Sequence, residues 1–167
     1  MAELAPGERL QPVLLDRLTD LHPDCREEGR DKRIMSLQQL RQSVVRDLGW
    51  LLNSTSLDVH VDMQAYPHAR RSVLNYGLAS VSGVTVSGMD APGLERKLLQ
   101  AILNFEPRLQ PDTLRTRVAV AEEQMNNHAV CFNIEADLWA QPLPLHLYIR
   151  TAIEFDTGKV QVQDAGG

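Results

Sequence analysis

Three polar side chains alternate with valines in the segment Asp58-Val-His60-Val-Asp62, where the residue types could support metal chemistry. Alternate side chains of a β-strand point to the same face, so Asp58, His60 and Asp62 would lie together, opposite the valines. Two carboxylates and an imidazole are enough to hold a divalent metal weakly. A solvated sheet edge with its apolar side inward gives the same pattern and is far commoner. The segment therefore predicts a strand, with a metal site as the less favoured interpretation.

A second candidate is the tripeptide Glu106-Pro107-Arg108, which ends an apolar helical pattern. A glutamate at such a position could be a general acid, as in glycosidases, but that chemistry needs a second carboxylate about 5 to 9 Å away. The sequence marks no such carboxylate. Since Pro107 fixes the turn and arginine pairs bidentately with carboxylates, a salt bridge within the chain or at an interface is the more economical interpretation.

Other catalytic signatures are incomplete or missing from the sequence. Residues 83–88 have the glycine spacing of a phosphate-binding loop, but Met89-Asp90 stand where Lys and Ser or Thr are required. There is no Gly-x-Ser-x-Gly motif, and the histidines show neither HExxH nor zinc-ligand spacing. Cys25 and Cys131 lie far apart, and the N-terminus shows no secretory signal. These features predict a cytoplasmic protein.

The composition limits the possible classes of function. The length of 167 residues suits one domain, and 43% hydrophobic with 23% charged residues excludes wholesale disorder. The net charge of −5 argues against a nucleic-acid binder, and few aromatic residues are present to stack on sugars or bases. No apolar run approaches the roughly 20 residues that span a bilayer.

The N-terminal region predicts a short amphipathic helix over Leu10 to Leu21, with Leu14, Leu18 and Leu21 on one face. The charge-rich stretch His22 to Arg33 follows and predicts a mobile linker. The helix could be a frayed end docked on its own domain, or a tethered peptide that lays its leucines into a groove of a partner. We therefore expect an N-terminal helix and linker over residues 1–33 and a single α+β domain over residues 34–167.

The helices that position the candidate site have clear boundaries. Ser36 to Leu52 is the clearest, because Ser36 and Gln39 form a capping box. A shorter helix is predicted over Ala69 to Tyr76 with Gly77 as its stop, and a third over Pro92 to Phe105, capped by Asp90. The expected core faces are Leu37, Leu40, Val44, Leu48 and Leu51 in the first, and Leu94, Leu98, Ala101, Ile102 and Phe105 in the third.

From Leu114 the apolar period changes from 3.6 residues to 2, which predicts strands. The alternating positions are Thr116, Val118 and Val120; Val130 to Leu138; Leu145, Leu147, Ile149, Thr151, Ile153 and Phe155; and Val160 to Val162. Residues 126–128 and 156–159 supply turns. The fold class is therefore α+β, with N-terminal helices packed on an antiparallel C-terminal β-meander. We expect both sheet edges to lack a covering helix.

Several segments, in this order, resemble one known family: LLDRL at 14–18, SVVRD at 43–47 leading to WLLN at 50–53, SVLNYG at 72–77 and FEPRL at 105–109. Followed by the strand-rich tail, they are similar to TssE, the baseplate subunit family of bacterial type VI secretion systems. That family is in turn similar to the sheath-initiator wedge protein of contractile phage tails. One departure is Ser54-Thr55-Ser56, where related sequences carry basic residues.

The resemblance implies a structural part with no cofactor and no enzymatic activity. It implies that Glu106, Pro107 and Arg108 serve docking in the baseplate wedge, beside the subunits TssF, TssG and TssK. Leu14, Leu18 and Leu21 would be an anchor to another wedge subunit, TssF or TssG. The implied location is the cytoplasm, in a baseplate docked at the inner membrane, with no membrane insertion.

The C-terminal strands, by the same resemblance, would offer an edge to the sheath subunits TssB and TssC. Main-chain hydrogen bonds would set the geometry, and the apolar side chains Leu145, Leu147, Ile149 and Ile153 would supply affinity. Sheath assembly would then be templated by this sheet. The alternative function is that of a lysozyme-like peptidoglycan hydrolase with Glu106 as general acid.

Overall fold

A computed structural model describes residues 12–19, 23–24, 35–78, 90–119, 129–139, 144–154 and 157–166. Helices come first: α1 (Leu14–Leu18), α2 (Leu37–Asn53), α3 (Pro67–Arg70) and α4 (Ala91–Phe105). Strands follow: β1 (Arg115–Ala119), β2 (Ala129–Leu138), β3 (Leu145–Glu154) and β4 (Val160–Asp164). This order confirms the α+β prediction of N-terminal helices and a C-terminal antiparallel sheet.

The sheet is an antiparallel meander in the order β1-β2-β3-β4, and α2 and α4 cover one of its faces. Helix α2 lies over β4 and β3, whereas α4 lies against β1. Strand β2 buries every second side chain, and β3 does the same in register, as the period of two predicts. The buried positions are Val130, Phe132, Ile134, Ala136 and Leu138 in β2, and Leu147, Ile149, Thr151 and Ile153 in β3.

The two long helices begin at the predicted caps. The Ser36 side chain accepts from the Gln39 backbone N–H, and the Gln39 side chain accepts from the Ser36 N–H, so the capping box is complete. The Asp90 side chain accepts from the N–H of Gly93 at 3.0 Å. One predicted core residue lies outside: Leu37, the first residue of α2, is 46% exposed, and burial begins one turn later at Leu40. None of the helices in the described ranges is long and apolar enough to cross a membrane.

The predicted strand at Asp58–Asp62 is wrong. Residues Leu57–Val59 form a 3₁₀ turn, followed by a bend, and both Val59 and Val61 are exposed. The Asp58 backbone N–H donates to the side chain of Asn75, and Ser56 donates to the Asp58 carboxylate. These side-chain bonds stabilise a turn in place of an extended ladder.

The predicted helix over Ala69 to Tyr76 is two shorter pieces, α3 and a 3₁₀ turn at Val73–Asn75. The Ser72 hydroxyl bonds the carbonyl of Ala69 and accepts from the N–H of Leu74, which starts a new turn there. Gly77 ends the segment as predicted, with φ +130°.

Some predictions fall on residues that the structure does not describe. They include Leu21, the linker apart from residues 23–24, Val120, the turn at 126–128 and Phe155. In the described part, α1 is shorter than the helix predicted over Leu10 to Leu21 and comprises Leu14–Leu18. The division into residues 1–33 and 34–167 stays a prediction.

Candidate functional site

Arg108 is the centre of a charged cluster that joins the end of α4 to α2. Its Nε donates to Glu106 Oε1 at 2.6 Å, and its Nη2 contacts Glu106 Oε2 at 2.5 Å. Nη2 also donates to Asp47 Oδ2 at 2.6 Å, while Nη1 donates to the Ser43 hydroxyl at 3.1 Å. The salt bridge expected from the sequence is therefore present, and it lies within the chain.

Burial differs sharply along the Glu106-Pro107-Arg108 tripeptide. The Glu106 side chain is 4% exposed and that of Arg108 is 16% exposed. Pro107 between them is exposed. The Glu106 carboxylate also accepts from the Arg108 backbone N–H at 3.2 Å, which closes the turn. Thus the two charged side chains hold the turn, and the proline is the part that a partner could touch.

The surroundings of Arg108 favour its charged form. Burial alone would lower the pKa of Arg108, but the bonds and charges of Glu106 and Asp47 raise it above its ordinary value. The pKa of Tyr76 is also raised, first by burial and then by the negative charges of Asp47 and Glu106. Arg108 therefore remains a cation that both carboxylates share.

The cluster continues through Arg46 to the N-terminal helix. Arg46 Nε donates to Asp47 Oδ1 at 2.9 Å, and Arg46 Nη1 contacts Asp16 Oδ1 of α1 at 2.5 Å. The guanidinium also lies 4.9 Å from the ring centre of Trp50, a cation–π distance. The Asp16 hydrogen bond is the main reason that the pKa of Arg46 is raised, against the effect of burial. Charge pairing thus connects α1, α2 and the end of α4.

A cleft of about 330 Å³ lies beside the cluster. Its lining includes Val13 and Leu15, together with Tyr76, Phe105 and Pro107. The rings of Tyr76 and Phe105 meet edge to face, with centres 5.3 Å apart. Glu106 belongs to this lining, but Arg108 already binds both of its carboxylate oxygens. That arrangement favours a structural role over proton donation to a glycosidic oxygen.

Two of the three leucines of α1 point away from the rest of the described chain. Leu14 is 69% exposed and Leu18 is 74% exposed, and α1 buries none of its residues. Leu21 lies outside the described residues. The helix is therefore fixed to the body through Asp16 while its Leu14 and Leu18 side chains stay available.

The predicted partner-binding residues of β3 lie in the interior of the sheet. Leu147, Ile149 and Ile153 are at most 2% exposed, and Leu145 packs against the same core. Because β3 pairs with both β2 and β4, it presents no edge. The edge strands are β1 and β4, so a strand added to this sheet would meet one of them.

Both edges have side-chain caps from the helices, so the expectation that no helix covers them is partly wrong. The N–H of Val118 in β1 donates to the Glu95 carboxylate of α4 at 2.6 Å. In β4, the N–H of Val160 donates to Asn53 Oδ1 at 2.9 Å, and Asn53 Nδ2 donates to the Val160 carbonyl at 2.8 Å.

The register shows which backbone groups of β4 face outward. The Ala165 N–H donates to the Tyr148 carbonyl, so Ala165 and Tyr148 form a hydrogen-bonded pair. In an antiparallel ladder such pairs recur at every second residue, here along β4 and β3. Gln161 and Gln163 therefore point their backbone groups toward β3, while Val160, Val162 and Asp164 point theirs outward. Among the described residues, only Val160 of these three has its outward backbone groups bonded.

No group of three or more His, Cys, Asp or Glu side chains in the described ranges could hold a metal ion. Asp58, His60 and Asp62 are not brought together on a strand face. The sequence analysis missed Asp47 and Ser43, which bind Arg108, and Asn53, which caps β4. All three lie in the motifs at 43–47 and 50–53 that carry the family resemblance, and Ser43 and Asp47 are four residues apart on α2, next to the apolar stripe.

A family model described as baseplate wedge protein gp25 matches residues 38–143. The matched range runs from the first turn of α2 through β2 and includes the Arg108 cluster, but it ends before β3 and β4. No curated protein and no solved structure matches the chain.

Proposed function

The chain belongs to the baseplate wedge protein gp25 family, and we propose that it is the baseplate subunit on which the sheath of a type VI secretion system begins to assemble. The family places it among structural components of a phage-like baseplate. The ordered motifs from residue 14 to residue 109 support the type VI assignment, by their resemblance to TssE. One part of the molecule docks in the wedge, and the sheet meets the sheath.

The observation that carries the sheath role is the outer edge of β4. Val162 and Asp164 turn their N–H and C=O groups away from β3, and no described residue bonds them. Such an edge binds an extended segment of another chain by main-chain hydrogen bonds. In this proposal the added segment comes from the sheath subunits TssB and TssC, and β4 takes the docking role that the sequence suggested for β3.

The wedge role rests on exposed apolar residues beside the charged cluster. Leu14 and Leu18 are exposed on a helix that Asp16 fixes in place, and Pro107 is exposed at a turn that Glu106 and Arg108 fix. Preorganised apolar contacts of this kind suit a protein interface. We propose TssF, TssG and TssK as the subunits on this side.

Enzymatic activity has no part in the proposed function. The lysozyme-like alternative requires the Glu106 carboxylate to reach a substrate, and it would have to leave Arg108 to do so. A cell-wall suspension that the chain clears, with clearing lost in Glu106→Gln, would favour the alternative.

To test the proposal, the tagged chain is produced in its native host and purified with its partners under mild salt. Sheath tubes are counted in the same cells. Val162→Pro removes one outward N–H without removing a bond to β3, because proline is tolerated on the outer side of an edge strand. Val162→Ala is the matched control for the lost side chain. We expect both variants to recover wedge subunits, and only Val162→Pro to lose sheath subunits and tubes. Wild-type tube numbers in Val162→Pro would contradict the proposal.

A further inference from the structure

The segment that follows α2, residues 54–78, forms one loop whose two ends meet. The N–H of Leu78 donates to the Ser54 carbonyl at 2.8 Å, and the N–H of Ser56 donates to the Leu78 carbonyl at 3.2 Å. Gly77 permits this approach, because a Cβ there would lie 2.4 Å from the Ser54 carbonyl oxygen. Surface loops with joined ends frequently carry function. Neither the wedge role nor the sheath role proposed for the chain involves this loop.

Asn75 holds the interior of the loop in one shape. It is 8% exposed, and its Oδ1 accepts from the Asp58 N–H at 2.9 Å while its Nδ2 donates to the Arg70 carbonyl at 3.1 Å. These two bonds join the 3₁₀ turn at 57–59 and the end of α3 to the 3₁₀ turn at 73–75. The loop is therefore an ordered part of the surface, because its turns are bonded to one another.

Large apolar side chains of this ordered loop are in contact with solvent. Val73 is 80% exposed, Leu74 is 67% exposed and Tyr66 is 61% exposed. Val59 and Val61, on the neighbouring turn and the bend after it, are 43% and 44% exposed. Single exposed apolar residues are ordinary, but several on one ordered segment mark a binding surface.

Two arginines of the same loop have no ion pair among the described residues. Arg70 and Arg71 are both exposed and come directly before the turn that carries the most exposed apolar side chains. By contrast, Arg41, Arg46 and Arg108 each form a salt bridge with a carboxylate of the chain. The chain as a whole has a net charge of −5, so this local pair of cations is opposite in sign. Carboxylates of a partner would complement it.

The backbone of the loop indicates which kind of acidic partner fits. The N–H groups of residues 74–76 all donate within the loop, so they are not free to pair with an added strand. An α-helix satisfies its own backbone and binds through side chains alone. An anionic lipid surface attracts basic segments, but Asp58 and Asp62 are exposed on this loop and would be repelled by it. A helix of another protein is therefore the favoured partner.

We propose that the loop binds an acidic amphipathic helix of a partner protein. Apolar side chains three and four residues apart on that helix pack on Val73 and Leu74, and Asp or Glu side chains beside them pair with Arg70 and Arg71. The bonds of Asn75 hold the loop in shape before binding, which lowers the cost of ordering it. The inference goes beyond the proposed function, since it uses neither β4 nor α1.

A photo-crosslinking side chain, benzoylphenylalanine, in place of Val73 tests the proposal with the full chain in its native host. The peptide joined to it is identified by mass spectrometry. We expect one protein segment with apolar residues at helical spacing and carboxylates beside them. The same probe in place of Arg96 on α4, which is 74% exposed, is the control and should give at least tenfold less of that adduct. Adducts with lipid, adducts with a segment of another pattern, or none above the control would overturn the proposal.

Matched variants test the contribution of charge and of apolar contact. Arg70→Glu with Arg71→Glu should lower the yield of the Val73 adduct at least tenfold, whereas Arg70→Lys with Arg71→Lys keeps the charge and should stay within threefold. Leu74→Ser should also lower the yield at least tenfold, and Leu74→Met should not. Because these side chains are exposed, each variant should melt within about 2 °C of the wild type. An adduct yield that the glutamate pair leaves unchanged would overturn the proposal.

The outcome for the loop is separable from that for the proposed function. If the adduct has the expected pattern but the wild-type chain recovers no sheath subunits, the helix-binding loop stands and the sheath role is wrong. If sheath subunits are recovered but the Val73 probe gives no adduct above its control, the sheath role stands and the helix-binding loop is wrong.

Discussion

Arg108 shows how single residues organise the candidate wedge surface. One guanidinium binds a carboxylate and a hydroxyl of α2 and the carboxylate of Glu106, which follows α4 directly and is 4% exposed. Without Arg108, Asp47 keeps its contact with Arg46, but the buried Glu106 carboxylate loses its cation, and an unpaired buried charge costs more than the pair itself contributes. The residue therefore acts on docking by holding Pro107 and the end of α4 in place.

Arg108→Ala should destabilise the fold by about 3 kcal/mol, because Glu106 and Asp47 lose their shared cation. Arg108→Lys keeps the charge without the bidentate geometry and should cost less. Urea unfolding followed by Trp fluorescence measures both. A loss below about 0.5 kcal/mol in Arg108→Ala, the range of ordinary surface substitutions, would show that the cluster contributes little to stability.

Arg108→Ala should also unseat the chain from the wedge if Pro107 must be held for docking. The measurement is recovery of TssF, TssG and TssK from the native host, with Arg108→Lys as control. Wild-type recovery with the alanine variant would assign Arg108 to internal structure alone.

Tyr76 predicts how stability depends on alkaline pH. Burial and the charges of Asp47 and Glu106 raise the pKa of Tyr76 above the ordinary value of 10.0. The folded state therefore holds this proton more tightly than the unfolded state. The stabilisation that protonated Tyr76 gives the folded state is fully present below pH 10.0 and is lost as pH rises through the folded-state pKa. Relative to Tyr76→Phe, which has no proton to lose, the wild type should lose stability above pH 10.0, as measured by urea unfolding. Parallel stability curves for the two proteins would contradict this.

At the scale of elements, periodicity and caps were enough to predict most of the fold. The capping box of α2, the Asp90 cap of α4 and the alternation of β2 and β3 were all visible in the sequence because each depends on near neighbours. The turn at 57–59 depends on Asn75, 17 residues away, and the edge cap joins Asn53 to Val160, 107 residues away. No local pattern encodes such contacts, so those parts of the site could not be predicted.

Two glycines should respond to alanine in opposite directions. Gly49→Ala should stabilise the chain by about 0.5–1 kcal/mol, since the new methyl group meets only an ordinary contact in a helix interior. Gly77→Ala should destabilise it, because φ is +130° and the Cβ would clash with the backbone of Ser54. Thermal unfolding of the two variants beside the wild type checks this, and changes of the same sign would contradict it.

At the scale of the whole molecule, the two proposed interfaces lie at different places in the fold. Leu14 and Leu18 belong to α1, which Arg46 joins to α2 and the Arg108 cluster, whereas Val162 lies on the edge of the sheet. A baseplate subunit that links wedge to sheath requires such separation, since both partners must bind at once. Each surface can then be disabled without the other.

Leu14→Asp with Leu18→Asp should reduce recovery of wedge subunits while changing the free energy of unfolding by less than about 0.5 kcal/mol, because both side chains are exposed. Co-purification and urea unfolding measure the two quantities. Leu48→Asp, in the buried core, is the contrasting variant and should unfold the chain. Undiminished wedge recovery with the α1 variant would remove these leucines from the interface.

The most direct test of the central claim is an electron cryo-microscopy structure of the assembled baseplate with its first sheath ring. We expect a strand from a sheath subunit beside β4, bonded to the outward groups of Val162 and Asp164, with Asn53 still on Val160. A bare β4 edge, with the sheath held by β1 or by another surface, would contradict the account.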